Sequence, residues 1–468
     1  MCIRDRIDGY DVFFNTGTDE HGIKIYRKAK DQHIDTKEYV DQYAKKFKDL
    51  IPLLGIMPEV NFIRTTDENH IMAAQEFWKI VDKNGLIYKK NYSIKYCVGC
   101  ELEKTESELV DGKCPLHPLQ ELEIIEEENY FFRFSIYQKQ LLKLYEDENF
   151  VIPKTRLNEI RAFAERGLDD FSISRLKSKM PWGIAVPGDE NQVMYVWFDA
   201  LVNYISATGW PTNMDSFQKW CIDSGGMVQY CGKDNLRQQS AMWQAMLMAA
   251  KLPPSKQIII DGFVTGEGGI KMSKSLGNTI NPLDVVKLYG TEALRYYVSR
   301  EVSPFEDSPF TMEKFKDAYN AHLANGLGNL VSRIMKMAEA NLIKHDKKVE
   351  QKIGETEELV LIYKKYNEGF AGYNLEQAIS AVWDLISSAD KIIQDRQPFK
   401  KIKINKEEAT VDIIELLARL NIIGRLLAPI LPETSLKIID LVLQNKMPEI
   451  PLFCLLYTSP SPRTKANL

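Results

Sequence analysis

Four potential metal ligands occur as two pairs near the first quarter of the chain. Cys97 and Cys100 are separated by two residues, and Cys114 and His117 repeat that spacing after thirteen further residues. Two such pairs on tight turns can close a tetrahedron of three thiolates and one imidazole around Zn²⁺. Because protein would fill all four positions, the spacing predicts a structural zinc site rather than a catalytic one.

A loop with two lysines could hold a triphosphate. It reads Lys271-Met272-Ser273-Lys274-Ser275 and follows a glycine-rich stretch. Two ammonium groups three residues apart, among small hydroxyl residues, can neutralise the charge that develops on a leaving pyrophosphate. Short Lys/Ser strings also occur as exposed basic turns, so the loop alone leaves both interpretations open.

Polar and aromatic residues follow several short β-rich runs. Asp19 comes after Tyr10–Phe14, Asp234 comes after Met227–Cys231, and aromatic residues crowd Tyr195–Ala200. A strand end followed by Gly and Asp is where α/β folds hold polar ligand groups, so Asp19 could bind an ammonium and Asp234 a ribose. The aromatic segment could line an apolar pocket. Turns, helix caps and core aromatics would explain the same residues.

The segments that would position these residues alternate between helical and strand-like patterns. Thr36–Leu50 and Arg237–Ala250 have helical spacing, whereas Val193–Trp197 and Gln257–Ile260 are strand-like. The alternation predicts an α/β fold with a doubly wound parallel sheet. From about residue 311 onwards, apolar residues recur at three- and four-residue steps, which predicts an all-α bundle.

Composition limits the class of protein. Of the 468 residues, 44% are hydrophobic and 27% are charged, which is typical of a globular chain and excludes a disordered or fibrous one. No apolar run reaches roughly 18 residues, so no transmembrane helix is predicted. The net charge of −5 means that nucleic acid would need local basic patches. Seven cysteines, an odd and sparse set, favour a cytoplasmic protein with a metal site.

Taken together, the motifs resemble those of methionyl-tRNA synthetases, which are class I aminoacyl-tRNA synthetases. The resemblance runs from about Gly9 to Phe453 and rests on seven segments: Thr16–Gly22, Cys97–His117, Asn129–Arg133, Ser172–Arg175, Tyr195–Ala200, Gly232–Asp234 and Lys271–Ser275. It implies a Rossmann-type catalytic core with a zinc-knuckle insertion, followed by an α-helical anticodon-binding bundle. It also implies ATP-dependent activation of L-methionine, with Mg²⁺ on the phosphates, and transfer to tRNA(Met).

The resemblance further implies how methionine would be bound. Asp19 would hold the α-ammonium, with Arg175 as its ion-pair partner. Trp197, Ala200 and Tyr204 would form the thioether pocket, where a polarisable sulfur packs well on aromatic rings.

ATP and its ribose would be bound by a second group of residues. Gly232 and Asp234 would contact the ribose. Lys274, helped by Lys271 and Ser273, would stabilise the triphosphate in the transition state. Lys271 and Lys274 are therefore the predicted catalytic residues.

Anticodon bases would be read by Asn329 and Arg333, which lie four apart on one helix face, with Phe399 as a stacking residue. The family often has tryptophan where Phe399 stands, and histidine where Asp261 stands. Class I enzymes also carry a His-x-Gly-His motif, which none of the six histidines forms. We therefore expect that the chain lacks that N-terminal segment, and that it gives little ATP–pyrophosphate exchange until the segment is restored.

The predicted domain boundaries follow from these motifs, with residues 454–468 read as a non-native tail. The resemblance favours a monomer, because the chain ends soon after the bundle. The alternatives are another class I synthetase or a non-catalytic tRNA-binding protein. The predicted parts are 1–92 and 156–262 for the core, 93–155 for the knuckle insertion, 263–310 for the lysine loop and stem, and 311–453 for the bundle.

Overall fold

The structure, a computed structural model, describes residues 1–100, 102–104, 108–272 and 278–456. The chain divides into two compact units. The first, here called the α/β unit, comprises Phe13–Pro52 and Ile56–Asp261. The second, called the helical unit, comprises Met1–Val12, Leu53–Gly55 and Gly262–Leu468.

The strands of the described residues are short, apart from two that form a long antiparallel pair. In chain order they are β1 (Asn15–Thr18), β2 (Asn61–Arg64), β3 (Ile87–Cys97), β4 (Leu102–Lys104), β5 (Glu123–Phe132), β6 (Val151–Ile152), β7 (Phe171–Ser172), β8 (Ser174–Leu176), β9 (Ala185–Val186), β10 (Asp189–Met194), β11 (Val228–Gly232), β12 (Gln257–Asp261), β13 (Val264–Thr265) and β14 (Ser308–Pro309).

The α-helices of the described residues become longer in the second half of the chain. They are α1 (Cys2–Ile7), α2 (Ile23–Asp31), α3 (Thr36–Leu53), α4 (Glu68–Lys83), α5 (Gln138–Leu144), α6 (Lys154–Glu165), α7 (Val196–Ala200), α8 (Asn203–Ser206), α9 (Met214–Phe217), α10 (Trp243–Ala249), α11 (Pro282–Tyr289), α12 (Thr291–Arg300), α13 (Met312–Ala318), α14 (Asn329–Ala340), α15 (Lys347–Gly354), α16 (Glu357–Ala371), α17 (Leu375–Arg396), α18 (Pro398–Lys401), α19 (Lys406–Leu427) and α20 (Pro432–Gln444).

Parallel strand pairs build the α/β unit, as the sequence predicts. β1 pairs with β2, and β11, β12 and β6 form a second parallel group in the order β11-β12-β6. The first pair is very close, since a Cβ on Gly17 would stand 1.8 Å from the Ile63 carbonyl oxygen. Glycine is therefore required at this position of β1, where the two strands approach so closely.

Two predicted strands are placed wrongly. The first strand is Asn15–Thr18 rather than Tyr10–Phe14, and pairing begins only at Asn15. The strand predicted at Val193–Trp197 ends at Met194, and Val196 begins the helix α7. Short apolar runs fit a buried strand and a buried helical turn equally well, so periodicity cannot separate them.

An aromatic core fixes α7 in the α/β unit. Phe198 of α7 is fully buried, with its ring centroid 5.2 Å from that of Trp78 and 5.8 Å from that of Phe77. Phe77 in turn stacks on Trp243 of α10 at 5.8 Å. Large aromatic rings that interlock in this way leave one packing arrangement, so the residues on either side of Phe198 have defined directions.

The knuckle region forms an antiparallel sheet in the order β4-β3-β5-β7. Its centre is the long antiparallel pair of β3 and β5, in which Ile87 pairs with Phe132 and Tyr96 with Glu123. A separate antiparallel sheet, β8-β10-β9, carries Arg175 on β8.

The helical unit confirms the predicted bundle. Buried positions of α17, from Ala378 to Ile393, recur at steps of one to four residues along one stripe of the helix. The helix begins where the Asn374 side chain accepts from the Gln377 amide, and it ends at Gln397, which is left-handed (φ 46°) and precedes Pro398. In the part of the chain that the structure describes, every helix is too short or too polar to cross a membrane.

Candidate functional site

The four predicted metal ligands meet in one cluster. Cys97 ends β3, and the ligand atoms of Cys97, Cys100, Cys114 and His117 all lie within 4.8 Å of one another. The Cys100 and Cys114 sulfurs are 3.5 Å apart, and His117 Nδ1 lies 3.2 Å from the Cys100 sulfur. Ligands on a tetrahedral zinc ion stand about 3.8 Å from one another, so the donor set and its spacing fit zinc.

The turn of the knuckle depends on a glycine. A Cβ on Gly99 would stand 2.5 Å from Cγ of His117 and 2.6 Å from Oε1 of Gln120, so no side chain fits there. Cys97 and Cys114 are buried. Burial also raises the pKa of the Cys100 thiol, so a bound metal must displace that proton.

We expect about one zinc ion per chain in protein purified without chelators, as measured by elemental analysis. The double replacement Cys100→Ser and Cys114→Ser should abolish zinc binding, because two of four ligands are lost. The matched control is Cys2→Ser with Cys454→Ser, which removes two thiols outside the cluster. Full zinc content in the first variant would contradict the assignment. Because the large cores do not include the knuckle, metal removal should loosen the insertion and leave the rest of the fold intact.

Asp19 lies in a turn that its neighbour Glu20 anchors on several sides. The Glu20 carboxylate accepts two hydrogen bonds from Arg64, at 2.7 and 2.9 Å. The Glu20 amide donates to Thr65 Oγ1 at 2.9 Å, and the Glu20 carbonyl accepts from Trp182 Nε1 at 2.7 Å. Asp19 itself is exposed. A carboxylate on so rigid a turn is preorganised to bind a cation.

The predicted thioether-pocket residues lie on two short consecutive helices. Trp197 and Ala200 belong to α7, and Tyr204 belongs to α8. Ala200 is buried, whereas Trp197 and Tyr204 are partly exposed. These three residues therefore lie on neighbouring segments of the α/β unit. Phe198 of the same helix α7 is fully buried in the core.

A chain of neutral side chains orients the Tyr204 hydroxyl group. Gln239 Nε2 donates to that hydroxyl oxygen at 2.8 Å, and Gln229 Nε2 donates to Gln239 Oε1 at 3.1 Å. Ser255 Oγ then donates to Gln229 Oε1 at 2.6 Å. All three partners are buried, so each bond satisfies a group that water cannot reach.

Arg175 is buried beneath the same region. Its guanidinium donates to Ser172 Oγ at 2.6 Å and to the Ser174 carbonyl at 2.8 Å, and it lies 4.3 Å from the ring centroid of Tyr195. These contacts fix the charged group in place. The ion pair with Asp19 stays a prediction.

The predicted ribose-binding residues lie where two parallel strands end. Gly232 ends β11 in register with Asp261, which ends β12, and Asp234 is exposed in the turn that follows. Burial raises the pKa of Asp261 to about 6. The departure from histidine noted in the sequence thus places a second carboxyl at the sheet edge where α/β folds bind ligands.

Replacing Asp261 by Asn should stabilise the protein more at pH 8 than at pH 5. Burial raises the pKa of this carboxyl from 3.8 to about 6. Its contribution to the free energy of unfolding is therefore fully present below about pH 4 and is lost as the pH rises through 6. Partial contact with solvent screens the group, so we expect about 1–2 kcal/mol at pH 8 in the free energy of unfolding. Urea titrations at both pH values measure this. An equal gain in the free energy of unfolding at pH 5 and pH 8 would contradict this prediction. The control is Asp234→Asn, which changes an exposed carboxyl.

The lysine loop is described only at its start. The backbone of Lys271 bridges to Thr265, its ammonium lies 4.9 Å from the Phe263 ring centroid, and its carbonyl accepts from Asn278. Ser273 and Lys274, which carry the rest of the prediction, lie outside the described residues.

The predicted anticodon residues belong to the helical unit. Asn329 begins α14 and is exposed, and Arg333 lies one turn later on the same helix. Arg333 forms an ion pair with Asp390 of α17. Phe399 follows the end of α17 and is 43% exposed, as a base-stacking residue must be. Their role in binding the anticodon stays a prediction.

Comparison with known proteins decides the family. The sequence profile described as "tRNA synthetases class I (M)" matches residues 1–123 and 119–335. A methionine–tRNA ligase of Clostridium acetobutylicum is 39% identical over 446 residues, which cover 92% of this chain and 67% of that protein. One from Synechocystis is 37% identical over 454 residues, covering 92% and 82%. The chain belongs to the methionine–tRNA ligase family of class I aminoacyl-tRNA synthetases.

Solved structures of methionyl-tRNA synthetases agree with this assignment. That of Mycobacterium tuberculosis, bound by methionyl-adenylate, matches with a TM-score of 0.85 and 33% identity, over 93% of this chain and 87% of that one. Its free form matches with a TM-score of 0.77 and 28% identity, over 90% and 88%. The predicted fold class, an α/β core with a knuckle followed by helices, is therefore confirmed.

Several side chains near the candidate methionine-tRNA ligase site were not predicted from the sequence. They are Glu20 with Arg64, and the amide group of Gln239. Glu20 stands inside a motif that drew attention to Asp19, which is the one available signal. Gln239 gives none, because its partners belong to other elements of the fold.

Proposed function

We propose that this member of the methionine–tRNA ligase family activates L-methionine with ATP and transfers the methionyl group to tRNA(Met). Family membership supports the proposal, together with an exposed carboxylate at Asp19 after β1 and with Trp197, Ala200 and Tyr204 on the consecutive helices α7 and α8 of the same unit. These residues offer a carboxylate for an ammonium and an aromatic pocket for a thioether.

The first step joins methionine to the α-phosphate of ATP. A carboxylate oxygen of methionine attacks the phosphorus, a new O–P bond forms, and the bond to the bridging oxygen breaks and releases pyrophosphate. Asp19 holds the ammonium, and Gly232 and Asp234 contact the ribose. Lys274, with Lys271, neutralises the pyrophosphate. Such a step depends mainly on positioning and electrostatic stabilisation.

Metal ions and partners complete the proposal. Cys97, Cys100, Cys114 and His117 hold one structural Zn²⁺, and Mg²⁺ binds the ATP phosphates. The bundle at 311–453 binds the tRNA anticodon through Asn329, Arg333 and Phe399. We infer a cytoplasmic monomer, as for a translation enzyme that meets tRNA there.

An amino-acid panel tests the proposed substrate. In protein expressed from its complete gene, ATP–pyrophosphate exchange should depend on methionine and exceed that with the other amino acids. Exchange driven by a different amino acid would indicate another class I synthetase. Binding of tRNA(Met) without exchange by any amino acid would indicate a non-catalytic tRNA-binding protein.

A further inference from the structure

Two buried ionisable side chains connect the segments that carry the candidate methionine-binding residues. His21 follows Asp19 by two positions, and Asp199 lies between Trp197 and Ala200 in α7. His21 Nδ1 stands 3.2 Å from Asp199 Oδ2, with the side chains 6% and 0% exposed. Neither residue has a role in the reaction proposed above.

The contact between them is electrostatic rather than directional. Within the described parts of the chain, His21 Nδ1 and both Asp199 carboxylate oxygens lack an aligned hydrogen-bond partner. Burial raises the pKa of Asp199, and His21 opposes that rise. Burying a carboxylate is costly unless an opposite charge lies close to it, and the His21 imidazole is placed 3.2 Å away to compensate it. The contact therefore connects the segment that follows β1, which carries His21, to the helix α7, which carries Asp199.

The surroundings add aromatic and neutral groups. The Trp182 ring centroid lies 5.8 Å from that of His21, and His70 Nδ1 lies 3.0 Å from Ser206 Oγ. Burial lowers the pKa of His70 to about 3, so this imidazole remains neutral and does not compete for Asp199.

We propose that the His21–Asp199 pair positions the two halves of the methionine site relative to each other. One half is the turn that presents Asp19 to the ammonium, and the other is α7, which presents Trp197 and Ala200 to the thioether side chain. Methionine must contact both halves at once, so a small displacement of one weakens binding of the whole ligand. This inference rests on the proposed function.

The test separates methionine binding from ATP binding. Asp199→Asn keeps the shape of the side chain and removes its charge, and His21→Gln replaces the imidazole by a neutral amide, so each variant removes the charge pair. Each should raise KM for methionine about tenfold or more in ATP–pyrophosphate exchange, because the two halves are no longer held together. KM for ATP should change less than about twofold, since the proposed ribose contacts, Gly232 and Asp234, lie at and just after the end of β11.

A second, half-buried histidine–carboxylate pair supplies a control. In the helical unit, His345 Nε2 lies 2.5 Å from Glu350 Oε2, with side chains 6% and 11% exposed. We expect both His345→Gln and His21→Gln to lower the melting temperature. His345→Gln should leave KM for methionine unchanged. Folding should be rescued in the double variant of His21→Gln and Asp199→Asn. This variant leaves no buried charge unpaired, so it should fold even if a single variant does not.

Clear outcomes overturn the inference. These are an unchanged KM for methionine in both folded variants, a parallel rise of both KM values, or the same methionine defect in His345→Gln. Failure of the proposed function is recognised separately, because wild-type protein would then exchange with another amino acid or with none. With another amino acid, the pair is scored on the KM of that substrate. If wild-type protein exchanges with no amino acid, the affinity for methionine is measured instead of KM, by the change in tryptophan fluorescence at equilibrium. Unchanged affinity in the variants then overturns the inference.

Discussion

Replacing Lys274 by Ala is expected to lower kcat for methionine-dependent ATP–pyrophosphate exchange about 10²–10³-fold, with little change in KM for methionine. The proposed reason is that this ammonium stabilises negative charge that develops only as pyrophosphate leaves. Lys271→Ala should lose less, because the Lys271 ammonium also lies against the Phe263 ring. Exchange of labelled pyrophosphate into ATP, in protein expressed from its complete gene, measures both losses.

Two comparisons make this result specific to the loop. Lys287→Ala removes an exposed lysine from the neighbouring helix α11 and should leave kcat unchanged. Lys274→Arg keeps the charge but changes its shape, so it should recover only part of the rate. An exchange rate within threefold of wild type in Lys274→Ala would show that the loop does not stabilise the transition state.

Replacing Arg333 by Ala should weaken binding of tRNA(Met) by about 1–3 kcal/mol, which is the usual scale for a side chain that reads a base edge. Binding of the same tRNA with an altered anticodon should change little, because its base contact is already lost. Filter binding or fluorescence titration of both RNAs at one fixed salt concentration measures the difference.

The control for Arg333 is another cation bound to the same helix. Lys365 pairs with Asp384 of α17 at 2.7 Å, as Arg333 pairs with Asp390. Lys365→Ala should therefore reproduce the loss of a surface ion pair without affecting the choice of tRNA. Equal losses for both tRNAs in Arg333→Ala would mean that the guanidinium contacts phosphate and reads no base.

Short-range patterns predicted the parts of the structure that depend on neighbours in sequence. The zinc ligands come from two close pairs, so their spacing alone indicated the cluster. The helices α17 and α19 follow from apolar residues at three- and four-residue steps, with caps and a proline at their ends. The family resemblance added residue roles that spacing could not supply.

Contacts between distant segments were beyond such patterns. Asp199 follows the strand that the sequence predicts at Val193–Trp197, whereas the structure places Val196–Ala200 in the helix α7, with Phe198 packed in the aromatic core. The contact of Asp199 with His21 arises from that packing, since the two residues lie in separate parts of the chain. The bond from Gln239 to Tyr204 has the same origin. Patterns within a single sequence do not indicate such contacts between residues that are far apart in the chain.

The side chains that fix the Tyr204 hydroxyl group are all neutral over the ordinary pH range. Gln239, Gln229 and Ser255 neither gain nor lose a proton there, and burial raises the pKa of Tyr204 itself still further. Acid or alkaline shifts in the cell therefore leave the direction of this hydroxyl group unchanged. The contacts of this hydroxyl group therefore give amino-acid binding no dependence on pH, and any pH response would have to come from ionisable groups elsewhere in the site.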